Sequence, residues 1–243
     1  MSGHSHWHTI KFKKGLADSK RGQIFSKLAR QITIAVRESG DNPENNSKLR
    51  VAIEEAKSFN MPSENVERAR KKGTGELGEG GRLEPFVFEA YGPGGIAVII
   101  EGISDNKNRA LSEIKHILSL HEGKLAAEGS VNWMFEKRGV ITIDFSSQKI
   151  QQKEQLEDIA IEAGADDLYR HEDCLDVYTK LQELGAVKKK LEEKGLIIEQ
   201  ASPDLVAKNL IAVSGESKEN LQKLFEDLDE NEAVQEIYSN AQL

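Results

Sequence analysis

The sequence predicts an α+β protein in which an N-terminal three-helix domain is followed by two split-βαβ domains, one inserted in the other. Three observations support this fold class. Apolar residues near the start recur at the helical period, a segment with five glycines in nine positions occupies 73–81, and strand and helix patterns alternate beyond it. The predicted domains are 1–75 (basic, helical), 76–136 plus 204–243 (acidic, α+β), and 137–203 (the α+β insertion).

Apolar spacing places three helices in the first domain. The first covers 16–40 and separates an apolar face from a basic one: Ile24, Phe25, Leu28, Ile32, Ala35 and Val36 against Lys20, Lys27, Arg30 and Arg37. The second is predicted over 44–60. The third runs from Pro62 to Gly73, since proline favours a helix start and glycine a helix end. Because the following segment is rich in glycine, we expect a flexible hinge after this domain.

Strand patterns begin after the glycine-rich segment. Residues 83–104 predict two strands joined at the turn YGPGG, and a helix capped by Asp105 or Asn106 follows. The stretch 123–139 is expected to be an extended connection. Residues 139–202 then predict the order β-α-β-β-α-β, which is the split βαβ layout.

The C-terminal segment is expected to complete the outer unit. It predicts a strand over 204–214, a helix over 217–231 and a strand over 233–240. Together with the two strands and the helix of 83–121, these elements make a second split-βαβ domain, into which the first is inserted.

Charge is divided unevenly along the chain, whose formal net charge is −8. Residues 1–75 carry 15 Lys and Arg against 8 Asp and Glu, whereas the other 168 residues carry 18 against 33. The first domain therefore has a net charge of +7 and the remainder −15. This division indicates either a module that binds a polyanion while the acidic body avoids it, or a basic domain docked on its acidic neighbour.

Basic and aromatic side chains are concentrated between residues 3 and 30. Lysine and arginine bind phosphates with release of counterions, and an aromatic ring stacks on an unpaired base. The predicted nucleic-acid contacts are Trp7, Lys11, Lys13, Lys14, Lys20, Arg21, Lys27 and Arg30. In the alternative interpretation, Trp7 and Phe12 anchor this segment to the helices. No helix has Asn, Gln or Arg spaced to read base edges, so recognition of shape or backbone is expected.

No cofactor or metal is expected. His4, His6 and His8 have a spacing that chelates Zn²⁺ or Ni²⁺, but they lack a fixed fourth ligand, and the other histidines are scattered. The single cysteine, Cys174, excludes an internal disulfide and any multi-thiolate site within one chain, and its alternating surroundings predict a buried, unreactive thiol.

Catalysis and membrane insertion are not expected either. No Ser or Cys lies in a nucleophile elbow, and YGPGG lacks the lysine of a phosphate-binding loop. The acidic run 226–232 lacks the spacing of a calcium loop and is interpreted as a solvated helix end. No apolar run reaches the length of a membrane span, and no secretory or transit signal is evident, so a cytoplasmic location is expected.

Six ordered blocks of the sequence resemble the YebC family. The N-terminal block, GHSHWHTIKFKKGLADSKRGQIFSK, is followed by NMPSENVERARKKGTGE, YGPGG, DNKNR, GSVNWMF and VQEIYSN. The sequence departs from the family signature mainly at His6 and His8. The resemblance implies a helical N-terminal domain, two ferredoxin-like α+β domains and no established catalytic residues. Members are labelled probable transcriptional regulators that bind DNA; others, including the mitochondrial translational activator of cytochrome oxidase, act in translation.

The sequence thus predicts a non-enzymatic, nucleic-acid-binding regulator of gene expression. The resemblance favours a DNA-binding transcriptional regulator, whereas the missing base-reading helix favours a ribosome-associated factor that contacts ribosomal RNA. A small-molecule-binding or enzymatic α+β protein is the third alternative, because ferredoxin-like folds support many functions. The acidic body is expected to face protein, including a basic surface of a partner.

Overall fold

The structure, a computed structural model, describes residues 18–76, 83–149 and 153–242, with side chains from residue 21 onward. Three helices form the N-terminal part, as predicted: α1 (Asp18–Ser39), α2 (Ser47–Ser58) and α3 (Ser63–Thr74). The predicted apolar face of α1 is its core face. Ile24, Leu28 and Ile32 are all less than a tenth exposed and pack with the apolar sides of α2 and α3.

A glycine permits close packing of α1 on α3. A Cβ atom added to Gly73 would lie 2.6 Å from the Cβ of Val36 and 2.9 Å from the carbonyl oxygen of Thr33, so no larger residue fits without movement. Gly73 was predicted to end the third helix, but α3 continues one residue beyond it and ends at Gly75, which has the left-handed conformation (φ +85°). The glycine that ends the helix is therefore Gly75, which meets the requirement for positive φ.

The turn between α1 and α2 is organised by one buried side chain, Asn46. Its amide nitrogen donates to the carbonyl oxygens of Ala35 (2.7 Å) and Gly40 (2.8 Å), and its side-chain oxygen accepts from the backbone N–H of Leu49 (3.0 Å). Asn46 thus caps the start of α2 while it satisfies carbonyl groups at the end of α1.

Four further α-helices and ten strands follow within the described residues. In chain order they are β1 (Glu84–Tyr91), β2 (Ala97–Ser104), α4 (Lys107–Leu120), β3 (Lys124–Leu125), β4 (Phe135–Asp144), α5 (Lys153–Ala163), β5 (Asp167–Arg170), β6 (Cys174–Thr179), α6 (Leu184–Glu193), β7 (Gln200–Ala207), β8 (Ile211–Ala212), α7 (Gly215–Glu230), β9 (Val234–Ser239) and β10 (Ala241–Gln242). These elements confirm the α+β class.

Two four-stranded antiparallel sheets carry the α+β part. The first has the order β3-β1-β2-β9, and α4 and α7 cover one of its faces around Phe86, Ile100 and Phe225. The second has the order β5-β6-β4-β7 and packs α5 and α6 around Ile141, Val177 and Leu191. In the second sheet, the strand order and the β-α-β-β-α-β sequence together give the predicted split βαβ arrangement.

The strand prediction was wrong in one respect. The segment predicted as one strand over 204–214 is divided: its first residues belong to β7 in the second sheet, and Ile211–Ala212 form β8, which pairs in parallel with β10. The fourth strand of the first sheet is instead β3, from the region predicted to be an extended connection. β4 begins at Phe135, earlier than predicted. β7 continues to Ala207 because Phe135 pairs with that residue.

The helix following β2 is capped by Asn106, whose side-chain oxygen accepts from the backbone N–H of Arg109 at 3.0 Å. Asp105, the other predicted cap, instead forms an ion pair with the guanidinium of Arg109. Among the described residues, no helix is both long enough and apolar enough to cross a membrane.

Candidate nucleic-acid interface

The start of α1 is the part of the predicted interface that the structure reaches. Arg21 is exposed there, one residue after Lys20, whose backbone belongs to the same helix. Trp7, Lys11, Lys13 and Lys14 lie outside the described residues. Arg21 therefore extends the basic stretch of the sequence onto the first turn of the helical domain.

Lys27 lies at the contact between α1 and the acidic body. Its ammonium donates to the carboxylate of Asp229 at 2.8 Å and to the backbone carbonyl of the same residue at 2.7 Å. Asp229 is in the last turn of α7, where carbonyl groups lack helical partners and a cation is favoured. Lys27 was placed on the basic face of the helix, opposite the core, and it is 6% exposed because it is packed against this helix end.

Arg30 makes a second contact between the same two parts of the protein. One guanidinium nitrogen donates to the carbonyl oxygen of Ile103 in β2 at 3.0 Å, and another donates to the carboxylate of Glu232 at 3.1 Å. The acidic run predicted to be a solvated helix end thus receives two cations of α1. In the described residues the helical domain is docked on its acidic neighbour, which was the second interpretation of the charge division.

The outer side of α3 carries basic residues that were not among the predicted contacts. Arg68 and Lys71 are exposed one helical turn apart and line a shallow groove of about 590 Å³ with Ser63, Glu64 and Glu67. The sequence signal was the run RARKK at 68–72. The alternation of acidic and basic groups in this groove gives it less net positive charge than the segment before α1.

Arg70, in the same run, has a structural position. It forms a two-pronged pair with Asp41, at 2.7 Å and 3.0 Å, and a further bond to Glu67 at 3.0 Å. The hydrogen bond to Asp41 is the main reason that the pKa of Arg70 is raised from its ordinary value. Its guanidinium therefore joins α3 to the loop between α1 and α2.

A buried carboxylate shapes a loop that displays the second tryptophan. Glu89 of β1 is 8% exposed and accepts three backbone N–H groups, from Gly129 (2.6 Å), Val131 (2.6 Å) and Asn132 (3.0 Å). Burial favours the neutral acid, but the three hydrogen bonds outweigh it and lower the pKa of Glu89 below its ordinary value. The loop holds Trp133 with 64% of its surface exposed.

Trp133 presents its ring rather than its N–H group. The indole nitrogen donates to the carbonyl oxygen of Ser130 at 2.9 Å, and the ammonium of Lys208 donates to the carbonyl oxygen of Trp133 at 2.7 Å. Sequence reasoning did not select this residue, because the exposure of one aromatic side chain cannot be derived from its neighbours in the chain. An ordered, exposed ring beside a cation is able to stack on a base.

The helix-free face of the second sheet does not have the composition of a nucleic-acid platform. Sheets of this kind that bind single-stranded RNA present aromatic rings from their two central strands. Here the central strands β4 and β6 bring together Thr142 and Asp176, whose side chains are buried and hydrogen-bonded at 2.7 Å. The same face also carries Val140 and Tyr178 of these strands, both buried, so the central strands offer no exposed ring for stacking there.

Carboxylates also gather where the two sheets meet. Glu101, Asp204 and Glu236 surround Tyr238, whose hydroxyl lies 3.5 Å from a carboxylate oxygen of Asp204. Burial and then the charge of Glu236 raise the pKa of Tyr238, and burial followed by repulsion from Glu236 raises that of Glu101. Lys137 offsets part of this negative charge at Glu101, and the remaining excess of carboxylates disfavours contact with a polyanion.

Comparison with known protein families gives two matches that together span nearly the whole chain. Residues 5–76 match the family described as the TACO1/YebC protein N-terminal domain. Residues 83–241 match the family described as the TACO1/YebC second and third domain. Apart from Gly3 and His4 of the first block, the six blocks noted in the sequence fall within these two ranges.

Individual relatives are similar over their full length. A probable transcriptional regulatory protein of Syntrophus aciditrophicus is 46% identical over 99% of this chain and 95% of its own length. The probable transcriptional regulatory protein TTE1135 of Caldanaerobacter subterraneus is also 46% identical, over 100% of this chain and 99% of its own. The crystal structure of the conserved hypothetical protein Aq1575 from Aquifex aeolicus is 42% identical, with a TM-score of 0.86 over 98% of this chain and 97% of its own.

Proposed function

The chain belongs to the TACO1/YebC family, and from that membership and its charge distribution we propose that it is a non-catalytic regulator of gene expression that binds nucleic acid. Binding occurs through the basic segment before α1 and the first turn of that helix. The relatives named probable transcriptional regulatory protein support a role in transcription. Contact with the phosphate backbone supplies the affinity.

The observation that carries the proposal is that the basic residues of α1 have different surroundings. Lys27 and Arg30 contact the acidic body, whereas Arg21 is exposed in the first turn of the same helix. The nucleic acid therefore approaches at the start of α1, away from the carboxylates of α7. This arrangement lets the acidic body bind the helical domain and still remain clear of phosphate groups.

Regulation of translation on the ribosome is the second candidate. The missing base-reading helix supports it, since no helix of the sequence has Asn, Gln or Arg spaced to contact base edges in a major groove. Co-sedimentation with ribosomes, measured beside binding to duplex DNA of random sequence, separates the two candidates. Binding to neither would contradict the proposal.

Salt dependence tests the predicted interface. Replacing Lys11, Lys13, Lys14 and Arg21 by alanine is expected to weaken binding to many sequences alike. The slope of log K against log salt concentration should fall by about 0.7–0.9 for each phosphate that the variant no longer neutralises. Lys115, Lys180, Lys189 and Lys223, all exposed on the α+β part, provide a charge-matched control when replaced by alanine. An unchanged slope in the folded first variant, or an equal loss in the control, would place the interface elsewhere.

The role of Trp7 is tested by substitution with leucine. If its ring stacks on a base, Trp7→Leu should cost about 1–3 kcal/mol of binding to single-stranded nucleic acid, with little change in melting temperature. If the ring is instead a core anchor, the variant should lose several kcal/mol of stability. Fluorescence quenching is measured in a Trp133→Phe background, because Trp133 is 64% exposed and reports binding as well. A large drop in melting temperature without nucleic acid would contradict stacking.

A further inference from the structure

The hairpin between β5 and β6 brings together three side chains that have no part in the proposed nucleic-acid interface: His171, Cys174 and Asp176. One nitrogen, one sulfur and one oxygen atom from these residues all lie within 4.8 Å of one another. The turn is closed by a hydrogen bond of 2.9 Å from the backbone N–H of His171 to the carbonyl oxygen of Cys174. That closure places the imidazole over the start of β6.

The strand period determines which way two of these side chains point. Cys174 and Asp176 are two residues apart in β6, so both lie on the face of the second sheet opposite α5 and α6. The intervening Leu175 points into the core between sheet and helices. Cys174 is fully buried, Asp176 is 3% exposed, and the side chain of His171 is 7% exposed.

Neighbouring groups orient two of these side chains, His171 and Asp176. The imidazole Nε2 of His171 lies 2.8 Å from one carboxylate oxygen of Asp176, and the hydroxyl of Thr142 donates to the other at 2.7 Å. The ring of Tyr169 packs edge-on against the imidazole, with centroids 4.7 Å apart. Partners that hold a ligand's orientation in this way are typical of metal sites.

We propose that His171, Cys174 and Asp176 form a binding site for a divalent transition metal of the zinc type. Imidazole nitrogen, thiolate sulfur and carboxylate oxygen are the ligand atoms that Zn²⁺ takes in proteins, and a water molecule completes the tetrahedron. This site is independent of nucleic-acid binding. It differs from the N-terminal histidines in having a sulfur and an oxygen ligand beside one imidazole.

The geometry requires a small adjustment and the release of one proton. Tetrahedral zinc holds nitrogen and oxygen ligands about 3.4 Å apart, so Nε2 of His171 and the carboxylate of Asp176, now 2.8 Å apart, separate by about 0.6 Å. The neutral imidazole retains one proton, on Nδ1. The thiol of Cys174 gives its proton to solvent as the sulfur–metal bond forms.

Cobalt spectroscopy gives a readout specific to this site, because the chain has a single cysteine. Full-length protein, reduced with a phosphine, is titrated with Co²⁺. We expect a thiolate-to-cobalt charge-transfer band in the near ultraviolet that saturates at one equivalent and disappears when Zn²⁺ is added. Absence of this band in folded protein would overturn the proposal.

Three variants complete the test. Cys174→Ser should abolish the band and also the rise in melting temperature that Zn²⁺ produces in the parent. Thr142→Val, which removes the hydrogen bond to Asp176, should weaken metal affinity about 10–100-fold. A variant with His4, His6 and His8 replaced by alanine should keep the band. If zinc stabilises Cys174→Ser as much as the parent, or if the tail variant loses all metal binding, the site is elsewhere and the proposal is wrong.

Discussion

Replacing Glu89 by alanine is expected to lower the free energy of unfolding by about 3–5 kcal/mol, because three backbone N–H groups lose a charged acceptor at once. These donors belong to Gly129, Val131 and Asn132, and Val131 is fully buried, so water does not readily replace the carboxylate. Urea denaturation measures the loss. Glu128→Ala, an exposed carboxylate in the same loop, is the control and should change stability by less than about 0.5 kcal/mol.

The contribution of Glu89 also depends on pH in a defined direction. Its pKa is lower in the folded protein than the ordinary glutamate value, so the folded state binds this proton less readily than the unfolded state. The stabilisation is fully present above the unfolded pKa of about 4.3 and is lost as pH falls through the lower folded value. The stability difference between the parent and Glu89→Gln should therefore shrink in acid. A difference that grows below pH 4 would contradict this account.

The Glu89 variant also bears on the interface. Because Glu89 organises the loop that exposes Trp133, loss of the carboxylate should loosen that loop. The variant keeps every basic residue of the segment before α1. Binding to nucleic acid that survives Glu89→Ala in the folded protein therefore places the principal contacts in the N-terminal domain. Binding that falls with the loop would add the ring of Trp133 to the interface.

Replacing Asn46 by alanine is expected to cost about 2–4 kcal/mol, which combines a lost N-cap with buried carbonyl groups left without a donor. The side chain makes three hydrogen bonds to backbone groups, at Ala35, Gly40 and Leu49, and the residue is 2% exposed. Thermal or urea unfolding of the helical domain measures the loss.

A neighbouring asparagine provides the matched control. Asn45 has the same side chain and lies one position earlier, but it is exposed, so Asn45→Ala should stay within about 0.5 kcal/mol of the parent. Equal effects of the two substitutions would contradict the capping role. Asn46→Asp should not restore stability, because its carboxylate keeps the bond to Leu49 but turns an acceptor oxygen towards the carbonyl oxygens of Ala35 and Gly40.

Much of the fold follows from short-range patterns that a single sequence contains. The spacing of Ile24, Leu28 and Ile32 determined the buried face of α1, and proline and glycine in YGPGG determined the hairpin between β1 and β2. Both are local, since a helical or strand period fixes directions only relative to its own element. The two-residue strand β3 escaped prediction because it is too short to show a period.

Other features were decided by contacts between distant parts of the chain. Lys27 and Asp229 are 202 positions apart, and only the docking of α1 against α7 brings a lysine of the predicted basic face into a buried ion pair. In the same way, the strand period aligns Cys174 with Asp176, but the hairpin turn decides that His171 joins them. Sequence spacing specifies where a side chain points, whereas the group it meets depends on chain packing over long sequence separations.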